Sequence, residues 1–180
     1  MPDTLSSSLS IPHHLTLLPP TQETAPLVER LLDAAFGAAR FSKRSYGFRE
    51  GRACVGPLSR VAWDGKHLVG TIQYWSVNII SETGDNNPAL LLGPLGVSPD
   101  RQGTGIGRAL IADTLIHAAH LGHKIVLLVG PMHYYGRFGF QPAAPIGISM
   151  PGEAPERLLV RALVPNGLAG VTGHVVANQN

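Results

Sequence analysis

The chain has 180 residues, 44% hydrophobic and 14% charged, with 21 Gly, 15 Pro and a single Cys. That composition fits one folded domain with a real core and excludes a fibre, a disordered chain or a disulfide-stapled scaffold. A formal net charge of +2 is too small to indicate nucleic acid as a partner, and no apolar run approaches the roughly 20 residues that span a bilayer.

In chain order, MPDTLSSSLSIPHH lacks the basic and apolar regions of a signal peptide, and residues 1–13 read as a flexible lead-in. The lone Cys54 cannot form an internal disulfide, so a reducing, cytoplasmic address is expected. LTLL (15–18) reads as a strand ended by Pro19-Pro20. Thr24 is placed to cap a helix running to Phe36, with Leu27, Val28, Leu31, Leu32 and Ala35 on one face and Gly37 at its end. Residues 38–52 set Arg40, Lys43, Arg44, Arg49 and Arg52 against a lone Glu50. The plain reading is a solvated loop or short helix; the sharper one is a wall of a substrate site.

SRVAWD (59–64) and HLVGTIQYWSVNI (67–79) form a hairpin through Asp64-Gly65. Residues 81–88 are a polar connection, and ALLLGPLGV (89–97) is an apolar run of the buried-strand kind. A helix to about Leu121 follows, closed by Gly122, and then KIVLLVG (124–130), a strand covered on both faces. MHYYGRFGF (132–140) reads as a short helix leading into a strand, RLLVRALV (157–164) as the last clear strand, and 171–180 as a tail. No repeat or linker divides the chain, so 14–170 is expected to be a single α+β domain with a mixed, mostly antiparallel sheet.

The segment VSPDRQGTGIGRALI (97–111) places Gly103, Gly105 and Gly107 where a turn becomes a helix. The dinucleotide fingerprint G-x-G-x-x-G fails in both registers, because Arg108 and Leu110 stand where its last glycine belongs, and no Gly-Lys-Ser/Thr completes a P-loop. What remains is a helix start with unpaired amides and partial positive charge, stripped of side chains so that an anion can reach it. Upstream, Pro94 between Gly93 and Gly96 breaks the buried strand, which should bulge or splay and leave backbone groups for a ligand. A ligand with both a pyrophosphate and an arm of amide bonds uses both features, and coenzyme A is such a ligand.

The pattern V-x-P-x-x-Q-G-x-G-x-G, Val97 to Gly107, resembles the acetyl-CoA signature of the GNAT superfamily, and HYYGRFGF (133–140) resembles that family's short helix ending in Gly-Phe. LGPLGV before the loop is similar to the compact bacterial subgroup, and the resemblance spans roughly residues 14 to 165. It implies an N-acetyltransferase of the GNAT acyl-CoA fold, with strands splayed at the CoA site and helices flanking the sheet. It implies that Leu95, Gly96 and Val97 meet the acetyl-pantetheine arm and that Gln102, Gly103, Thr104, Gly105, Ile106 and Gly107 cradle the pyrophosphate. Arg108 adds charge at the helix start. Phe138 belongs to the same set, and Tyr135, five residues before Phe140, is the implied proton donor to the leaving thiolate. Tyr134 is expected to pack or to face solvent.

His117, His120 and His123 recur at a spacing of three near a helix end, but no carboxylate motif joins them, and no metal is expected. Ser98 and Ser149 lack the final glycine of a nucleophile elbow, and Cys54 has no adjacent His. Direct attack of an amine on the thioester is therefore expected, and the base stays open, with Glu50, Glu82 and Asp85 in segments able to face a substrate. The expected acceptor is a small-molecule amine bound by segments 38–52 and 79–88. Acetylation of a protein or peptide and non-catalytic acyl-CoA sensing are the alternatives, and a monomer or homodimer is expected.

Overall fold

The structure, a computed structural model, describes Pro12 and residues 14–178. The predicted lead-in therefore lies, apart from Pro12, outside the described residues. The strands are β1 (Leu15–Leu18), β2 (Arg60–Asp64), β3 (His67–Ile80), β4 (Asn86–Val97), β5 (Ile125–Val129), β6 (Gln141–Pro142), β7 (Ile148–Ser149), β8 (Leu158–Ala162) and β9 (Gly173–Ala177). The helices are α1 (Ala25–Phe36), α2 (Arg44–Gly47), α3 (Ile106–His120) and α4 (Met132–Tyr135). The sheet runs β1-β2-β3-β4-β5-β8-β6, and β9 lies along the far half of β3 with β7 beside it. Among the described residues, β4 with β5 and β7 with β9 pair in parallel, and the other ladders are antiparallel.

Two cores explain why the central strands are apolar without alternation. Leu90, Leu92, Val126 and Leu128 point to one face and pack with Leu110, Ile111 and Leu115 of α3. Leu91 and Leu127 point to the other, where Ile79, Ile148, Val160 and Val175 meet them. Residues on successive positions thus serve opposite layers, as in any strand buried on both sides. α1 covers a third cluster, Val28, Leu31 and Leu32 against Val61. Two strand glycines let the helices close on the sheet. A Cβ on Gly70 would stand 2.7 Å from Ile106 Cγ2, and one on Gly96 would stand 2.8 Å from Leu32 Cδ2.

The break at Gly93-Pro94 does open the sheet, but on one side. Along β3 the ladder slips between Ile72, which faces Leu95, and Tyr74, which faces Leu92, and is continuous on either side. Along β5 only Leu90–Leu92 pair, with Val126–Leu128, and the two strands part beyond them.

Three local expectations change. The Thr24 hydroxyl does not cap α1: it accepts from the Thr21 N–H at 2.8 Å and donates to the Thr21 carbonyl at 2.9 Å, so the preceding turn uses it. Leu27 stays exposed, because the buried stripe of α1 is narrower than its apolar stripe. The tail 171–180 carries β9, which pairs with Val77–Ile80 of β3 and buries Val171 and Val175. Gly173, at φ +132°, is what allows that approach, since a Cβ there would stand 2.0 Å from the Ile80 carbonyl oxygen.

Candidate active site

The glycine segment folds as a short 3-10 turn, Pro99–Arg101, followed by Gly103 at φ +78° and Gly105 at φ +91°, the latter forming the N-terminal boundary of α3. Both conformations favour glycine, yet a Cβ at either position would meet nothing of the protein within 4 Å. The space above them is open, and no side chain caps α3, so its first N–H groups face that space. Gly107 is different: its Cβ would stand 3.0 Å from the Tyr134 hydroxyl, which crosses the helix start.

A cleft of about 480 Å³ runs along this surface. Leu95, Val97, Gln102, Gly103, Gly105, Ile106, Gly107, Arg108 and Tyr135 line it, together with Phe36, Arg101, Tyr134 and Arg137, which the motif did not point to. Three expected residues do not line it. Gly96 is covered by Leu31 and Leu32 of α1, the Thr104 hydroxyl turns to the Arg101 carbonyl at 2.6 Å, and Phe138 is buried in the core beneath α3. Arg101 on the wall is paired with Asp64, and Arg108 and Arg137 give the cleft the positive charge an anion requires.

A second cavity, of about 460 Å³, opens where β4 and β5 part, between Leu92–Leu95 and Val129–Pro131. Phe36, Leu95 and Tyr135 line both spaces, so Tyr135 stands at their junction. Its ring lies against Gly130, where a Cβ would come within 2.5 Å of Tyr135 Cε2, and it meets Phe140 and Tyr134 edge-on. Burial is the main cause that pushes the Tyr135 phenol up to about 12, with Tyr134 adding to it and Arg157 opposing. Burial raises Tyr134 as well. Both are neutral donors across the working pH range.

The outer wall of this second cavity is the basic segment. It forms two short helical stretches, Ala38–Ser42 and Arg44–Gly47, largely exposed on one side and packed on the other through Arg40 and Ser45. Arg40 is 2% exposed and binds Asp33 at 2.9 Å, Glu29, and the Tyr46 hydroxyl at 3.2 Å. Lys43, Tyr46 and Arg49 line the cavity, with Glu153 and Arg157 on its opposite side. Segment 79–88, by contrast, lies elsewhere. Asp85 is bound within its own loop by Ser81 and Thr83, and Glu82 borders a separate depression with Gly147 and Thr172. Glu50 lines a depression next to Arg49 rather than the cavity itself. Glu153 is the carboxylate on the cavity wall, and no sequence pattern marked it. Among the described residues, no three His, Cys, Asp or Glu side chains converge to hold an ion, and no helix is long and apolar enough to cross a membrane.

The chain is similar to known proteins along most of its length. Residues 56–142 match the model of the acetyltransferase (GNAT) domain. The uncharacterized N-acetyltransferase YjhQ of Escherichia coli is 28% identical over 169 residues, 91% of this chain and 92% of that one. The crystal structure of the GNAT family N-acetyltransferase YhbS from Escherichia coli in complex with CoA superimposes with a TM-score of 0.79 at 25% identity, covering 94% of this chain and 93% of that one. A GNAT family acetyltransferase from Brucella melitensis in complex with acetyl-CoA gives 0.68 at 26% identity, covering 93% and 97%.

Proposed function

The chain belongs to the GNAT superfamily of N-acetyltransferases, and from that premise we propose that it moves the acetyl group of acetyl-CoA directly to the primary amine of a small molecule. One observation carries the reading: the glycine-lined cleft and the cavity at the strand parting meet at Tyr135. A thioester entering from one side and an amine from the other converge on that hydroxyl. The cleft suits the cosubstrate, because its open amides and arginines accept a pyrophosphate and its β4 edge lies unpaired beside it. Acetyl-CoA, when bound, supplies an activated acyl carbon and a thiolate leaving group.

The residues of this chain do the rest. Leu95 and Val97, beyond the last β4–β5 pair, offer backbone groups to an extended amide arm. Gly103 and Gly105 leave room for phosphate oxygens, Gly107 makes room for the Tyr134 hydroxyl beside them, and Arg108 supplies a cation. Glu153 is our candidate to draw in the ammonium group and take its proton, since attack needs the neutral amine. Tyr135 gives its proton to the departing sulfur as the C–S bond breaks and the C–N bond forms. A cavity of about 460 Å³ matches a small-molecule site and favours that acceptor class over a protein surface. The lone free Cys54 supports a cytoplasmic setting.

The test is thiol release from acetyl-CoA over a panel of small amines and peptides. Turnover with small amines and none with peptides is expected. Turnover confined to peptides refutes the acceptor class, and no turnover with any amine, despite CoA binding, refutes the enzyme reading.

A further inference from the structure

We propose that the acceptor carries a carboxylate as well as its amine, and that Arg49 is the residue that binds it. The proposal rests on the small-amine acetyltransferase reading above and adds the chemistry of the substrate. Among the described residues, the Arg49 side-chain atoms Nε and Nη1 are buried without a hydrogen-bond partner. Buried polar groups are ordinarily paired, and an unpaired buried guanidinium is among the costliest exceptions. This chain pairs its other buried guanidiniums. Arg40 binds Glu29, Asp33 and Tyr46, and Arg60 donates to the Pro57 and Ser59 carbonyls and faces Asp113. Of these three, Arg49 alone has no carboxylate or carbonyl on its guanidinium, only the Tyr46 side chain beside it, and it lines the cavity that Tyr135 also lines.

The setting is built rather than accidental. The Arg49 guanidinium carbon stands 4.4 Å from the Tyr46 ring centroid and 5.9 Å from that of Trp75, so two aromatic faces hold it. Both rings are themselves anchored. Arg40 donates to the Tyr46 hydroxyl at 3.2 Å, and the Trp75 indole N–H donates to the Gly93 carbonyl at 2.7 Å, at the break in β4. A planar cation fixed in this way suits a planar carboxylate. None of these three residues lines the cofactor cleft, so the phosphates of CoA are not the missing partner. Burial pulls the Arg49 pKa down to about 10, which leaves it cationic at neutral pH.

Charge balance points the same way. Lys43, Arg49 and Arg157 line the cavity against Glu153, while Arg40 is already neutralised. A plain alkylammonium ion meets a repulsive wall there. A zwitterion places its carboxylate at Arg49 and its ammonium group toward Glu153 and Tyr135. An amino acid or ω-amino acid of modest length has that shape.

The experiment measures kcat/KM for a ladder of amino acids from glycine to 6-aminohexanoate, each beside its own carboxamide, and records thermal shifts with CoA in parallel. The best acid is expected to exceed its carboxamide by at least about 100-fold, the scale of one buried charge-assisted contact. In Arg49→Met the ratio is expected to collapse toward one through KM, while the ligand-free Tm holds or rises, because an uncompensated buried charge has gone. Arg49→Lys keeps a charge but not the plane and should restore only part of the ratio. Equal turnover of acid and amide, turnover of neither member of any pair, or an Arg49→Met ratio equal to the native one overturns the proposal. If CoA also gives no thermal shift, the acetyl-transfer reading falls with it; if CoA binds, only the acceptor class falls.

Discussion

The hydroxyl of Tyr135 is the most direct place to test the chemistry. Tyr135→Phe keeps the ring that packs against Gly130 and Phe140 and removes one oxygen at the junction of the two spaces. Losing one positioned acid costs about 10² in rate, or about 2.7 kcal/mol of barrier at 1.36 kcal/mol per decade. The fall should appear in kcat at saturating acetyl-CoA, read by thiol release, with acetyl-CoA affinity nearly unchanged. Because burial holds this phenol near 12, it stays protonated between pH 7 and 10, and the deficit should be the same across that range. Tyr134→Phe is the control. Its hydroxyl sits over Gly107, so any effect belongs in the affinity for CoA rather than in kcat. Gly130→Ala offers a second route to the same answer, because the new Cβ would come within 2.5 Å of Tyr135 Cε2 and must push the ring aside. It should lose activity much as Tyr135→Phe does. A Tyr135→Phe enzyme within threefold of native kcat refutes the assignment, and a crippled Tyr134→Phe beside a silent Tyr135→Phe moves it by one residue.

CoA or acetyl-CoA at about 100 times its Kd should add roughly 2.7 kcal/mol of stability in a thermal-shift assay, with NAD and ATP adding far less; equal shifts would show that the cleft reads only a phosphate. Gly105→Val and Gly107→Val should each abolish that CoA shift while the ligand-free fold persists. The first strains a residue at φ +91°, at about 1–3 kcal/mol, and puts a side chain into the open space above the helix start, while the second presses on Tyr134 and displaces it across the cleft; native CoA affinity in either places the cradle elsewhere. Stability should hold below pH 10 and fall above it, because Tyr74 and Tyr135 have folded pKa values raised by burial while the same phenols ionise near 10 when unfolded. Chemical denaturation at pH 9 and pH 11 measures the drop, and Tyr74→Phe, which removes the Thr114 contact at 2.8 Å, should flatten it.

The residues expected at the cofactor converge on one cleft in large part because they are local in sequence. Gly103, Gly105 and Gly107 alternate along one short loop, and the break at Gly93-Pro94 lies in β4, the strand that leads into it, so letters alone join them. The residues that escaped are those brought in by packing. Phe36 ends α1 and reads as one more apolar position, yet it lines both spaces because Gly96 draws α1 onto β4. The resemblance places Gly96 on the acetyl-pantetheine arm, and in the structure its small size serves the contact with α1. β9 was missed for a similar reason: a five-residue strand gains its stability from β3 and from Val175 in the far core, neither of which its own pattern shows.

The acceptor half was illegible in a more instructive way. Arg40 and Arg49 stand nine positions apart in one basic stretch, and composition treats them alike. What separates them is where their partners come from. Arg40 reaches back to Glu29 and Asp33, successive turns of α1 on the same helical side, and spends its charge on structure. Arg49 lies beyond that reach, turned toward β3 and the parted strands, where the rings of Tyr46 and Trp75 receive it and, among the described residues, no carboxylate pairs with it. Losing Arg40 should therefore loosen Tyr46 and the loop, whereas losing Arg49 should leave the fold standing and change what the cavity accepts.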